Sequence, residues 1–544
     1  MKFRASIKSK TTVAPEFDFI IVGGGPAGCV LANRLSANSK WQVLLIEAGK
    51  PDNHPYIHMP VGFAKLNGLS HSWGFQTVPQ KHLDNRVMPF TQARVLGGGS
   101  SINAQVYTRG HRADYDEWAR EESCAGWDFD SVLPYFKKAE DNCRLSDEYH
   151  GQSGPLQVSD PVPQQLSQAY VLAGQQSGIP FNTDFNGELQ QGIGYYQLTN
   201  RDGYRSSAPV AYLKPIEQRS NLTVVTGTNV SRILIEKQVA NGVELVIQGQ
   251  VQKIKANKEV LVTSGAIGSP KLLMLSGIGA AQELRAHNIS VAMDLPGVGK
   301  NLQDHLDVFV VGECSGPFSA DKYKMPWHAA WGGLQYLLYK SGPLASNLCD
   351  AGGFWFADKD ARSPDIQFHF LPGSGLEHGL KPLKNGITLN SAFLRPKSRG
   401  TVALASANPA QAPLIDPNYW SDPYDVKMSI EGFKLAREIL HQPAFAPFVK
   451  READPGANVK SDAEIIEYAK RFCKTDYHPV GTCKMGAVGD ELTVVTPDLK
   501  VKGVEKLRVV DSSVMPRVPS SNTNTPTIMV AEKGADLILS SYEQ

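Results

Sequence analysis

The apolar positions near the N-terminus fall into a strand, a helix and a second strand in close succession. Phe17–Val22 (FDFIIV) is an apolar, β-branched run with one charge, which predicts a buried strand. Pro26–Leu35 carries its apolar residues on one helical face, and Val43–Ile46 is another apolar run that ends at Glu47. Residues 50–110 are rich in Pro, Gly and His and predict long loops, and a helical stretch follows near 115–140. Strand-like runs return at Leu222–Val225, Ser231–Ile235, Val243–Ile247 and Val260–Thr263. Gly265–Gly279 (GAIGSPKLLMLSGIG) predicts a turn, a short apolar helix and a glycine stop. Residues 310–460 have a different texture, with aromatics, short strands (DIQFHFLPG, GTVALAS) and a long helix near 425–441. Lys506–Pro516 (KLRVVDSSVMP) is again a buried strand ending in an acid, and TPTIMVAEKGADLILSSYE is a strong amphipathic helix. This last strand, acid and helix lie far from the first unit. They predict a discontinuous domain with the middle of the chain interleaved as a second one.

Glycines punctuate the first unit. Gly23, Gly25 and Gly28 have G-x-G-x-x-G spacing between strand and helix, and Glu47 ends the second strand about 20 residues later. Gly23 permits the tight turn, Gly25 lets the backbone approach a pyrophosphate, and Gly28 lets helix and strand pack closely. The helix start presents free N–H groups and a positive dipole end to phosphates. Glu47 can accept hydrogen bonds from ribose hydroxyls, and an acid there repels a 2′-phosphate, which argues against NADP. The fingerprint predicts a dinucleotide and leaves FAD and NAD both open.

Composition narrows the class. At 544 residues the chain exceeds one compact core, so two or more domains are expected. A net charge of +1 gives no electrostatic reason to expect nucleic acid or an anionic membrane as partner, and no apolar run approaches transmembrane length. The N-terminal MKFRASIKSKTTVAPE is basic and polar without the apolar core of a secretory signal, and residues 1–16 are read as a disordered tail rather than a transit peptide. Seven cysteines without a C-x-x-C pair fit reduced thiols in a cytoplasmic protein, with no disulfide framework and no metal site.

Four separated motifs together resemble the glucose–methanol–choline (GMC) oxidoreductases. They are the fingerprint, ARVLGGGSSINAQVYTRG (93–110), GAIGSPKLLMLSGIG (265–279), and YHPVGTCKMG (477–486) followed by RVVDSSVMPRVPSSNTNTPTIMVAEKGADLI. The resemblance covers the chain from about Phe17 to its end and implies an α/β fold. A Rossmann-like FAD-binding domain would be assembled from 17–160, 216–308 and 463–544. A substrate domain built on an antiparallel sheet covered by helices would be assembled from 161–215 and 309–462.

The resemblance decides for FAD over NAD. It implies that Val95, Gly97, Gly98, Gly99 and Ser100 pass near the pyrophosphate and flavin. It places Asn103, Ala104 and Val106 against the isoalloxazine, Asn524 and Thr525 close to the flavin ring, Val230 at the adenine, and Asp511 in contact with the FAD. Read alone, the Gly-Gly-Gly-Ser-Ser run is an anion-lining loop or a flexible one. Some relatives attach FAD through a histidine just before the loop asparagine. Ile102 stands there in this chain, so FAD is expected to be noncovalent.

Alcohol oxidation by a flavin needs a base for the hydroxyl proton, and histidine suits that task. Of 13 histidines, His478 in TDYHPVG matches the family's catalytic histidine and is expected to be the base. Asn522 in SSNTNTPT matches the second family position, where its amide would hydrogen-bond the alkoxide. Ser521 replaces the glycine common there, a small local change. His305 is read as structural, packing under the cofactor domain. For His328, His369 and His378, core or surface roles are favoured over lining the pocket. MPWHAAWGGLQYLLY and GGFWFADK could be pocket wall or ordinary core.

Within the family the resemblance is to bacterial alcohol and choline dehydrogenases. It implies oxidation of a primary aliphatic or aromatic alcohol to the aldehyde, with a quinone, another acceptor or O₂ taking the electrons. The alternatives are an O₂-using oxidase of aryl or furan alcohols, a choline-type dehydrogenase, a lyase or light-driven decarboxylase on the same scaffold, and a non-catalytic flavin protein. Peripheral membrane association and oligomeric state stay open at this point.

Overall fold

The computed structural model of the protein describes residues 13–66, 71–247, 249–375 and 379–542. The expected tail therefore lies mostly outside the described residues, and Glu16 already opens the first strand, Glu16–Val22.

A seven-stranded sheet is built around the N-terminal βαβ unit. Its path runs Val230–Glu236, Val239–Ile247, Gln250–Val262, Glu16–Val22, Val43–Ile46 and Leu222–Val225, with Leu507–Val509 added beside Gln250–Val262. The register pairs Val22 with both Ile46 and Val262, Ile46 with Val225, and Val262 with Val509, all parallel. Five parallel strands thus end level. The segments just beyond them, at Gly23, Glu47, Thr226, Thr263 and Val510, converge on one edge, the crevice where open α/β sheets bind ligands. The strand expected at Val260–Thr263 is the end of a much longer one. Its polar first half pairs antiparallel with Val239–Ile247, which hides it from an apolar-run reading. Pro26–Leu35 packs against the last helix, Asn524–Ser540, where Arg34 makes a bidentate pair with buried Glu532. That pair ties the two ends of the chain into one layer.

The second sheet is mainly antiparallel, in the order Val449–Asp454, Leu306–Cys314, Gly386–Phe393, Ile366–Leu371, Ala351–Trp355, Gly192–Tyr195, Phe181–Asn182. Side chains alternate across it. Ile366, Phe368 and Phe370 enter the core, together with Phe433, Ala436 and Ile439 of the Pro423–Leu440 helix. Gln367 and Leu371 belong to the opposite face with His369, and both His369 and Leu371 line a large cavity between the sheets.

Three expectations shift. Residues 208–213, expected with the substrate domain, pack in the core of the first sheet, where Asn33 donates to the Tyr212 carbonyl. Residues 463–475, expected with the cofactor domain, serve the second sheet. Ile465, Tyr468 and Ala469 of the Asp462–Phe472 helix join its core, and Lys474–Thr475 pairs with Leu306–Asp307. The apolar segment 325–339 is neither core nor cavity wall. It forms the helix Pro326–Tyr339, of which only Gly332 and Tyr336 are buried. Ala351–Trp355, from GGFWFADK, is a strand of the second sheet with Phe354 buried. Among the described residues no helix is long and apolar enough to cross a membrane.

Candidate active site

One cavity of about 550 Å³ runs from the level strand ends of the first sheet to the face of the second. Glu47, Thr228, Asn229 and Val230 line its far end, Gly23, Gly25, Gly98 and Gly99 its middle, and Asn103, Ala104, Val106, His369, His478, Asn522 and Asn524 the end against the second sheet. Asp511 also lies on the wall. Gly28, Val95, Gly97, Ser100 and Thr525 do not line it, although the resemblance implied cofactor contact for all but Gly28.

Each of these five sits one layer back for a stated reason. A Cβ at Gly28 would lie 1.9 Å from the Gly23 carbonyl oxygen, so this glycine serves helix–strand contact. Gly97 has φ +92° and donates its N–H to Gly24, joining the two glycine loops. The Ser100 hydroxyl donates to Gly97 and accepts from Ala208 N–H. Val95 is fully buried beneath the loop, and Thr525 is buried in the first turn of the last helix.

The cavity has the features that FAD requires. The Pro26–Leu35 helix has no side-chain cap at its Gly25 N-terminus, so its leading N–H groups face the glycine loops. A Cβ at Gly99 or Gly265 would meet nothing within 4 Å, and one at Gly25 would find only the Thr263 oxygen at 3.9 Å, so the backbone there borders open space. Glu47 accepts from Gly24 and Gly49 N–H, while burial pushes its carboxyl up to about 7. A second uncapped helix, Asn524–Ser540, opens at the other end beside Asn524 Oδ1, which is buried without a partner. Asp511 contributes differently from expectation. Its two oxygens take four donors, from Gly265, Ser269 and Ser513, so it braces the loops around the cofactor crevice. Arg205, not singled out in the sequence, holds the Ser100–Asn103 loop through three carbonyl or amide oxygens.

At the second-sheet end, hydrogen-bond logic fixes a protonation pattern. His305 Nε2 faces the Leu394 carbonyl at 3.1 Å, and a carbonyl only accepts. That nitrogen therefore carries the ring proton, which leaves His305 Nδ1 as an acceptor. His478 Nδ1 lies 3.0 Å away and must donate, and Asp476 Oδ2 stands 3.3 Å from the same nitrogen. His478 Nε2 then has a free lone pair and receives the Asn522 Nδ2 amide at 3.1 Å. The orientation of Asn522 is set from behind, because its Oδ1 accepts from Thr108 Oγ1 and Gln367 Nε2.

All three imidazoles are held neutral. Burial lowers His305 and His369 to about 4. It lowers His478 well below the ordinary value, with His305, His369 and Lys474 pushing the same way. The His478 backbone is fixed by its N–H to Asp304 Oδ1 at 2.7 Å and by Tyr477 at φ +65°, a conformation costly for a non-glycine residue. His305, Asp476 and His478 offer atoms within 4.8 Å of one another. Because these histidines already bond to one another and to Leu394, the cluster reads as an acid–base array.

His305 therefore packs directly behind His478, not under the cofactor domain. His369 lines the cavity, where core or surface was favoured. His328 is half-buried on the Pro326–Tyr339 helix beside Trp327, and His378 lies outside the described residues. Two signals could have found the cluster: Asp476 lies two residues before His478, and the alternation in IQFHF puts His369 opposite the core-facing phenylalanines. Phe63, Ala64, Trp73, Phe75, Ile102 and Leu371 supply apolar wall.

Residues 17–307 and 396–531 match the family profiles described as GMC oxidoreductase. The chain is 45% identical over 533 residues to an alcohol dehydrogenase [acceptor] of Pseudomonas putida, covering 96% of each chain. It is 43% identical to a mitochondrial choline dehydrogenase of Mus musculus, covering 96% of this chain and 89% of that one. Among solved structures it resembles a pyridoxine 4-oxidase from Mesorbium loti, with TM-score 0.87, 30% identity and 96% and 98% of the two chains covered. It also resembles the formate oxidase of Aspergillus oryzae RIB40, with TM-score 0.91, 29% identity and 98% and 99% covered. The chain belongs to the GMC oxidoreductase family and is an FAD-dependent oxidoreductase of alcohols.

Proposed function

We propose that the protein oxidises an uncharged primary alcohol with an apolar chain or ring to the aldehyde, with His478 as the base. The observation that carries this reading is the His478 Nε2 lone pair, fixed on the cavity wall by the Nδ1–H tautomer and met there by the Asn522 amide. An alcohol oxygen entering beside the pair replaces their mutual hydrogen bond: its proton goes to His478 Nε2, and Asn522 Nδ2 donates to the alkoxide that results. Bound FAD supplies the two-electron acceptor for the hydride that leaves the carbinol carbon. Behind His478, His305 Nδ1 accepts from its Nδ1–H and keeps the proton on that nitrogen while Nε2 takes up the second one. Thr108 and Gln367 keep Asn522 facing the substrate. The segments 17–160, 205–308 and 476–544 hold the cofactor, and the second sheet with its helices holds the alcohol.

Charge favours a neutral substrate over a quaternary ammonium. The acid on the wall beside His478 is Asp476, whose carboxyl is pushed well up, by burial first and then by Asp307. Lys474 lies on the same wall and pairs with Asp307. Among the described residues of that wall Lys474 offsets the acid, which disfavours a trimethylammonium group there. An electron acceptor, whether a quinone, another organic acceptor or O₂, is the second substrate. The test is anaerobic mixing of the yellow holoenzyme with alkanols, benzyl alcohol and choline. Bleaching by the neutral alcohols supports the reading, and bleaching by choline alone overturns it. Readmitting air then separates oxidase from dehydrogenase by the speed at which colour and peroxide appear.

A further inference from the structure

Helices on protein surfaces normally turn their apolar stripe inward. The Pro326–Tyr339 helix does the reverse. Trp327, Trp331, Leu334 and Leu338 recur at i, i+4, i+7 and i+11, a single stripe, and are 62, 68, 46 and 63% exposed. The inward face is only Gly332, against Pro343 and Leu344, and Tyr336, whose hydroxyl donates to the Gly203 carbonyl. The helix carries no charged side chain, yet lysines flank it. Lys322 and Lys324 precede it, Lys324 paired with Asp321, and Lys340 follows, donating to the last-turn carbonyls of Tyr336 and Leu337. Exposed Lys381 and Lys384 sit on the neighbouring turn, joined through Leu383 and Ser374 to Lys324.

We propose that this helix docks the enzyme on an anionic lipid surface, lying in the plane of the interface with its tryptophan–leucine stripe among the acyl chains. Tryptophans at the headgroup level and a basic rim around an apolar stripe are the chemistry of interfacial helices. A second copy of the chain fits less well, because a two-fold contact would set one lysine rim against another. The position gives the docking a use. The segment after the helix leads to the cavity: Leu344 accepts from Val61 N–H, Asn347 donates to the Ala104 carbonyl, and Cys349 lines the wall. An apolar alcohol or acceptor dissolved in the membrane would meet the protein beside the cavity it must enter. The docking does not depend on which alcohol is oxidised.

The test is flotation of the full-length holoenzyme with vesicles of phosphatidylcholine containing phosphatidylglycerol. The wild type floats with them, and several-fold less of it floats with phosphatidylcholine alone. The variant Trp327→Ser/Trp331→Ser/Leu338→Ser loses at least tenfold in bound fraction while its FAD content and its rate with a water-soluble alcohol stay unchanged. Equal flotation of variant and wild type, or no flotation of the wild type, overturns the proposal. A wild-type dimer that the triple substitution makes monomeric, without vesicle binding by either, overturns it in favour of self-association.

Discussion

Replacing His305 tests the protonation pattern behind the proposed base. In His305→Ala the His478 Nδ1–H loses an acceptor that now stands 3.0 Å away, in a site where His305 is fully buried. A buried donor left without its partner costs about 1–3 kcal/mol. The ring then no longer favours the form whose Nε2 lone pair faces the cavity. That range corresponds to a flavin reduction rate lowered about 5- to 150-fold. The assay is anaerobic stopped-flow bleaching at saturating alcohol, with FAD content and melting temperature measured on the same preparation. His305→Asn keeps an acceptor oxygen near the Nδ1 position and recovers most of the rate. Reduction by His305→Ala at the wild-type rate, with FAD bound, would refute the reasoning. So would equal losses in the Ala and Asn variants.

Gly28→Ala drives a Cβ against the Gly23 carbonyl and prises the first helix from its strand. Overpacking of this kind costs about 1–3 kcal/mol, and the purified variant is expected to lose its 450 nm absorbance. Asn522→Ala removes the donor to the alkoxide and leaves Thr108 and Gln367 facing a void. A tenfold or greater loss in reduction rate with little change in FAD content is expected, read by the same bleaching assay. Because burial lowers His478, the base stays deprotonated when the pH falls through the ordinary histidine range. The rate of reduction should therefore be flat from neutral pH to below 6 and fall only in more acid solution. An inflection at an ordinary histidine pKa would contradict the burial argument.

Much of the cofactor crevice was legible because its parts are local. Strand, glycines, helix and Glu47 lie within one short stretch, and the level strand ends that bring Gly23, Glu47 and Thr263 together follow from parallel pairing. His478 and Asn522 were legible through resemblance, on residues a motif carries. The array behind them was not, because it is assembled across the fold. His305 precedes the first long strand of the second sheet, His369 sits in its middle, and the side chain of Asp304 reaches under the His478 backbone. No spacing in the sequence joins them. Asp511 shows a different limit, since a strand-end acid reads the same whether its oxygens face a ligand or, as here, four protein donors. The Pro326–Tyr339 helix shows a third. Its aromatic and apolar residues were visible, but composition does not say whether they turn to the core or to the outside.

The central claim is that His478 takes the alcohol proton. His478→Ala, purified with FAD bound, is mixed anaerobically with an alcohol that bleaches the wild type. The account predicts a reduction rate lower by about 10²–10⁴-fold, with FAD content and fold intact. Bleaching within a few-fold of the wild-type rate would contradict it.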